Sequence, residues 1–293
     1  MEKPLFSTDE LHKLTIYRRW LFIGFPVIIV LLLGLTGIVC HYIFHIDETV
    51  LALIPILGIF SSFFAFIYCL SKYKEAVRKT AYHLIASHLN YQLFKQPTDY
   101  AWKEKLLNNV WVLLQGGYIE WHNFLQGTQN DYVITLQDIS WIMPRGGTNS
   151  PGTKGQYTLL TVDPNCPIGC QIVLKKKTLL KRGMKGLIVK HIRPQDKELE
   201  KLYDVYADKP EQTTVLLNPA FTQALVQYIQ THKKQPELII TPQQICVLYN
   251  TGIWKKLFSL VIFRSPRVQC DKILKEITDT LDILPTISLL KMS

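Results

Sequence analysis

Two apolar runs near the N-terminus, residues 21–44 and 50–70, constrain this chain more than any other feature in it. His45-Ile46-Asp47-Glu48-Thr49 separates them, and neither run contains Asp, Glu, Lys or Arg. A helix needs about 20 apolar residues to cross the hydrocarbon of a bilayer, and each run reaches that length. Backbone amides in hydrocarbon must be satisfied within their own segment. Two such runs joined by a short polar link therefore predict a transmembrane helical hairpin.

The charges around the runs predict its orientation. Lys13, Arg18 and Arg19 precede the first run, and Lys72, Lys74, Arg78 and Lys79 follow the second, whereas the link carries only Asp47 and Glu48. The positive-inside rule then places both termini in the cytoplasm and the link outside. The first run is too long for a signal-peptide core, and a second follows at once with no small-residue cleavage site, so a retained anchor is expected. Of the six cysteines, Cys40 and Cys69 lie in the runs, and Cys166, Cys170, Cys246 and Cys270 are scattered beyond them. That usage suits a reducing compartment and argues against a disulfide scaffold. Cys166 and Cys170 in DPNCPIGC lack a second ligand pair and read as a turn before a strand.

The remaining chain predicts an α+β class: a mostly antiparallel β domain with flanking amphipathic helices. Residues 71–96 contain no Gly or Pro, repeat apolar residues at helical spacing, and meet Pro97, which predicts a connecting helix over 71–97. From Val110 the pattern becomes short β-rich runs: VWVLL, YIEWHNF, DYVITL, ISWIM, QYTLLTV, CQIVL and GLIVKHI. LYDVYA and TTVLL then lead to a helix with Asn218 as N-cap and Pro219 at its first position. ELIITP and QICVLYN read as a hairpin about Thr241-Pro242. The chain closes on an amphipathic helix with Cys270, Ile273, Leu274, Ile277, Leu281 and Leu284 inward. The expected organisation is thus 1–19 cytosolic, 20–70 hairpin, 71–97 connecting helix and 98–293 cytosolic domain.

Val205, Tyr206, Asp208, Glu211, Leu217 and Pro219 match a pattern of a bacterial family, and Asn218 replaces its usual Thr while keeping an N-cap. Over residues 202–250 the chain resembles DUF3137, a family of unknown function. The resemblance extends to architecture: two N-terminal spans, a connecting helix and a mostly β domain. It implies a bacterial inner-membrane location and supplies no reaction.

Candidate chemistry is sparse. GTNSPGTK at 147–154 transposes the Thr and Lys of a phosphate-binding loop, carries Pro151 and leads into a strand, so it reads as a hairpin loop. The sequence has neither GxSxG nor HExxH, and no catalytic, cofactor or metal residue is assigned. His41 and His45, one turn apart, read as polar rings at a membrane boundary, and His83, His88, His122, His191 and His232 show no metal spacing. Asp163, Asp204 and Asp208 offer carboxylates that sequence alone does not bring together.

The net charge of +10 directs attention to acidic partners. Lys175, Lys176, Lys177, Lys181, Arg182 and Lys185 lie in a stretch with no acidic residue, a candidate contact for anionic headgroups. That stretch lacks the interleaved aromatics of single-strand binders, which disfavours nucleic acid. Trp254-Lys255-Lys256-Leu257-Phe258 mixes the two types but equally suits a membrane interface. The expected function is a binding or scaffolding module at the inner leaflet, with the bilayer, anionic headgroups and a protein as partners. The alternative is a membrane-associated enzyme acting on a lipid or another leaflet-proximal substrate.

Overall fold

The computed structural model describes residues 8–42, 48–94, 118–129, 132–143, 153–163, 168–177, 190–250 and 265–291. The VWVLL run, the GTNSPGTK loop up to Gly152, Cys166, His45, Lys181, Arg182, Lys185 and the 254–258 segment lie outside these residues. The chain forms two compact units, Met1–Leu84 with Leu260–Asp271, and Ile85–Ser259 with Lys272–Ser293.

In the first unit, α1 (Thr8–Arg19), a π-helical turn (Trp20–Gly24) and α2 (Phe25–Tyr42) run without a gap. The Phe25 N–H donates to the Trp20 carbonyl, five residues back. Pro26 explains the widened turn: its ring clashes with the carbonyl four residues earlier and it offers no N–H, and the extra residue per turn makes room. Helix α3 (Glu48–Leu89) contains the second apolar run and continues unbroken into the expected connecting helix. It ends earlier than Pro97. Asn90 takes φ 57°, its N–H donates to the Ser87 carbonyl at 3.3 Å, and the Tyr91 N–H donates to the Ala86 carbonyl at 2.7 Å. This left-handed closure with crossed bonds is a Schellman ending, and Asn tolerates the conformation better than other non-glycine residues.

The second unit is built on one antiparallel sheet. Its strands are β1 (Gln92–Phe94), β2 (Tyr118–Gln129), β3 (Tyr132–Met143), β4 (Thr153–Asp163), β5 (Ile172–Lys176), β6 (Lys190–Ile192), β7 (Tyr203–Ala207), β8 (Glu237–Ile240) and β9 (Ile245–Tyr249). They are ordered β1-β2-β3-β4-β9-β8-β5-β7-β6. The runs DYVITL and ISWIM form the single long strand β3, because no residue between them breaks the alternation. A register shift between His122 and Phe124 pairs them with Asp138 and Gln137, turning the two side chains to opposite faces.

Helices α4 (Lys197–Leu202), α5 (Pro210–Leu216), α6 (Pro219–His232), α7 (Pro266–Leu281) and α8 (Leu284–Ser288) complete the described elements, with a closing 3-10 turn. TTVLL falls mostly in α5, where Pro210 opens a helix that burial of Thr213 holds down. Asn218 caps α6 as expected, accepting from the Phe221 N–H at 2.8 Å. The Tyr228 hydroxyl of α6 lies 3.0 Å from that of Tyr249 on β9, and Tyr249 donates to the Thr280 carbonyl of α7 at 3.3 Å. Those bonds seat α6 and α7 on the face that carries Val247, Leu238, Leu174 and Val205, all buried. Alternate residues supply the other face, where Ile139, Leu159, Val173, Ile239, Cys246 and Leu248 form a buried cluster flanked by Trp121, Trp141 and Tyr157. A fully buried Leu or Ile contributes about 1.5–3 kcal/mol, so such a two-faced sheet is the main stabilising element of the unit.

Candidate functional site

The first unit exposes what a soluble protein would bury. Leu11–Val39 is long and apolar enough to cross a membrane, and 0% of its most apolar 18-residue window is buried. Val27, Ile28, Val30, Leu31, Leu32, Leu35 and Ile38 are all exposed, and at 100° per residue they occupy most of the helix circumference. Phe60, Phe63, Phe64 and Ile67 of α3 are exposed as well. Water-soluble monomers rarely carry a contiguous apolar patch above a few hundred Å².

Contacts between the two helices run in antiparallel order. The Tyr17 and Tyr73 rings lie 5.7 Å apart. Phe66 meets Phe22 at 6.0 Å and Phe25 at 6.2 Å. A Cβ on Gly58 would overlap the Leu33 side chain, so glycine permits that close approach.

The described part of the basic stretch is less open than its sequence suggests. Lys177 donates to the Glu200 carbonyl at 2.9 Å, and Arg193 pairs with the Glu200 carboxylate at 2.8 Å. The Lys176 N–H donates to Glu237 Oε1 at 3.3 Å. Burial raises the Glu237 carboxyl above its ordinary range, and Lys175 opposes that shift. Lys175 also stands across from Asp204 in the β5–β7 ladder. Asp204 and Glu237, distant in sequence, thus lie against Lys175 and Lys176, and the Glu200 carboxylate offsets Arg193.

A second charged group joins α6 to α7. His232 Nδ1 lies 3.7 Å from Asp279 Oδ1, and Nε2 lies 3.7 Å from Asp282 Oδ2. Lys234 Nζ pairs with Glu276 at 2.8 Å and reaches Asp279 at 3.6 Å. The Tyr228 ring stacks on His232 at 4.6 Å, and its hydroxyl donates to the Asp279 carbonyl at 2.8 Å. Burial pushes both the Tyr228 and Tyr249 hydroxyls well up, so they act as hydrogen-bond donors and not as bases. His232, Asp279 and Asp282 place one ligand atom each within 4.8 Å of the others, the donor set of a divalent cation. Sequence spacing gave no sign of this group, because nearly fifty residues separate the His from the carboxylates.

On the helix-covered face of the sheet, His122 Nε2 lies 2.9 Å from Ser140 Oγ, and Asp138, opposite His122, accepts from Thr158 Oγ1 at 3.0 Å. These are the residue types of a hydrolytic triad, but Ser140 is 1% exposed and Asp138 2%. A nucleophile needs its substrate carbon at about 3–3.5 Å, and Ser140 offers no such approach. Asp163, Asp204 and Asp208 are engaged separately, by Gln244, His191 and the Gln171 N–H. The buried Cys170 and Cys270 thiols are pushed up by burial, Cys270 to about 12, which keeps them protonated. A concavity of about 40 Å³ between Arg193, Asp196, Val205, Thr213 and Thr222 has room for about one water.

Residues 153–289 match the model of DUF3137, a protein family of unknown function, which is the family expected from residues 202–250. No curated protein matches the sequence. Among solved structures, the crystal structure of the mycobacterial trehalose monomycolate transport factor A, TtfA, is similar with a TM-score of 0.41 and 12% identity, over 70% of this chain and 93% of that chain.

Proposed function

We propose that the protein is an integral membrane protein with two spans, 21–44 and 50–70, and that its sheet unit is a binding or scaffolding module on the cytoplasmic side of a bacterial inner membrane. The observation that carries this reading is the unburied apolar surface of Leu11–Val39. The antiparallel contacts from Tyr17–Tyr73 to Leu33–Gly58 support a second span, because they bring the run 50–70 alongside the first for its whole contacted length. In this reading Lys175, Lys176, Lys177, Lys181, Arg182 and Lys185 add long-range attraction to anionic lipid, weakened by Glu200, Asp204 and Glu237.

The test is extraction and topology. The full chain should stay with membranes washed in alkaline carbonate, and reporters fused after Ser293 and within residues 45–49 should report opposite sides. Release by carbonate, or reporters on the same side, would refute the two-span reading. The module reading predicts that mild-detergent extracts yield a stoichiometric protein partner after crosslinking. Repeated recovery of the chain alone would count against it.

A further inference from the structure

The two helices of the first unit bring a set of interfacial residues to one level. Tyr17 faces Tyr73, and Phe22 and Phe25 face Phe66, so Arg19 and Trp20 stand at the level of residues near 70–72 on α3. Trp20 is 45% exposed and Tyr68 63%, and beyond Tyr68 no large hydrophobic of α3 is exposed among the described residues. Lys72 Nζ lies 5.7 Å from the Tyr68 ring centroid and pairs with the exposed Glu75 carboxylate at 3.8 Å. Arg19 is exposed beside Trp20, whereas the charge of Arg18 acts on the buried Tyr73. Amphipathic aromatics hold the level of the glycerol and headgroup region, with apolar rings toward the acyl chains and polar edges toward water. Cations just beyond them, as Arg19 is beside Trp20 and Lys72 one turn past Tyr68, face lipid phosphate.

We infer that Arg19 and Lys72, with Trp20 and Tyr68 between them and the acyl region, form a site for the phosphodiester of an anionic phospholipid. The site rests on the membrane reading above and adds to it a lipid class and named residues. It differs from the lysines at 175–177, where Lys175 stands across from Asp204 and the stretch itself carries no aromatic. A zwitterionic lipid brings its own cation to the phosphate and gains less from Arg19 and Lys72. An anionic headgroup should therefore be retained in preference, by about fivefold per cation.

The experiment uses the full chain reconstituted into nanodiscs of equal phosphatidylglycerol and phosphatidylcholine, with co-purifying lipid counted by native mass spectrometry. Wild type should be enriched in phosphatidylglycerol. Arg19→Gln with Lys72→Gln should remove most of that enrichment, and Arg19→Lys with Lys72→Arg should keep it. Lys176→Gln with Lys177→Gln should reduce it far less than the 19/72 pair does. Enrichment that survives the double Gln variant, or disappears with the 176/177 pair, overturns the proposal. So does displacement by inorganic phosphate at matched ionic strength, which would assign the two cations to a soluble anion. Carbonate extraction separates the two layers. A chain that stays in the membrane without lipid preference refutes the headgroup site alone, and a chain released by carbonate refutes the membrane reading beneath it.

Discussion

Replacing Gln137 by Met should stabilise the protein. Gln137 lies on β3, opposite Leu159 of β4 and Phe124 of β2, and is 2% exposed. Among the described residues, neither its Oε1 nor its Nε2 has a hydrogen-bond partner. A buried polar group left unsatisfied costs about 1–3 kcal/mol, and methionine follows the same path with a similar volume and no such demand. The expected gain is about 2 kcal/mol, or roughly 4–8 °C in Tm for a unit of about 200 residues. Trp121 and Trp141 share the face of Gln137, so guanidinium unfolding of the detergent-solubilised chain, followed by tryptophan fluorescence, reports on this region. The midpoint should rise with m unchanged. Gln137→Glu, which would bury a charge in the same place, should destabilise by several kcal/mol. A loss of 1 kcal/mol or more in Gln137→Met would refute the reasoning, because only an amide that gains bonds on folding could produce it.

Lys234→Met should cost about 3 kcal/mol by removing the cation that pairs with Glu276 and Asp279, and Glu276→Gln in the same chain should recover part of it; denaturant midpoints would show both. Gly127→Ala should cost about 1–3 kcal/mol, since the new Cβ would overlap the Tyr91 ring that lies over Gly127, and adding Tyr91→Ala should make the glycine change nearly neutral by the same measurement. Burial raises the Glu237 carboxyl pKa, so the folded state binds that proton more tightly than the unfolded chain, and its favourable contribution is present at low pH and lost as pH rises through the folded value. Glu237→Gln should accordingly match wild type near about pH 4 and exceed it near about pH 7, and an advantage that shrinks with rising pH would contradict that sign.

The readable parts of the fold were those fixed locally. Asn218-Pro219 announces a cap and a first turn whatever surrounds it, and β8–β9 follow from two apolar runs about Thr241-Pro242. The α+β class with a large antiparallel sheet was equally legible, because strand-period runs outnumber helical ones in one contiguous stretch. The end of α3 was not, since Asn90 looks ordinary in sequence until its left-handed conformation is seen. Charge partners were the least legible. Lys175 comes to stand across from Asp204, and His232 finds Asp279 and Asp282, only because strands and helices distant in the chain are brought together. Among the described residues, the stretch that looked purely basic is therefore not so in the fold.

That difference decides between the two cationic regions of the chain. A Lys or Arg acts on a membrane only to the extent that its field is not already answered by a nearer carboxylate, and salt screens whatever must reach beyond about 8–10 Å. Lys175 and Lys176 act on the Glu237 carboxyl, Lys175 stands across from Asp204, and Lys177 is held by the Glu200 backbone carbonyl. Arg19 and Lys72 are both exposed, Lys72 pairs with the exposed Glu75 at 3.8 Å, and exposed aromatics stand beside them next to the apolar surface. Charge density along the sequence ranks the 175–185 stretch first. In the proposal above, position relative to the exposed apolar surface and its aromatic neighbours reverses that order and assigns the stronger lipid contact to the helices.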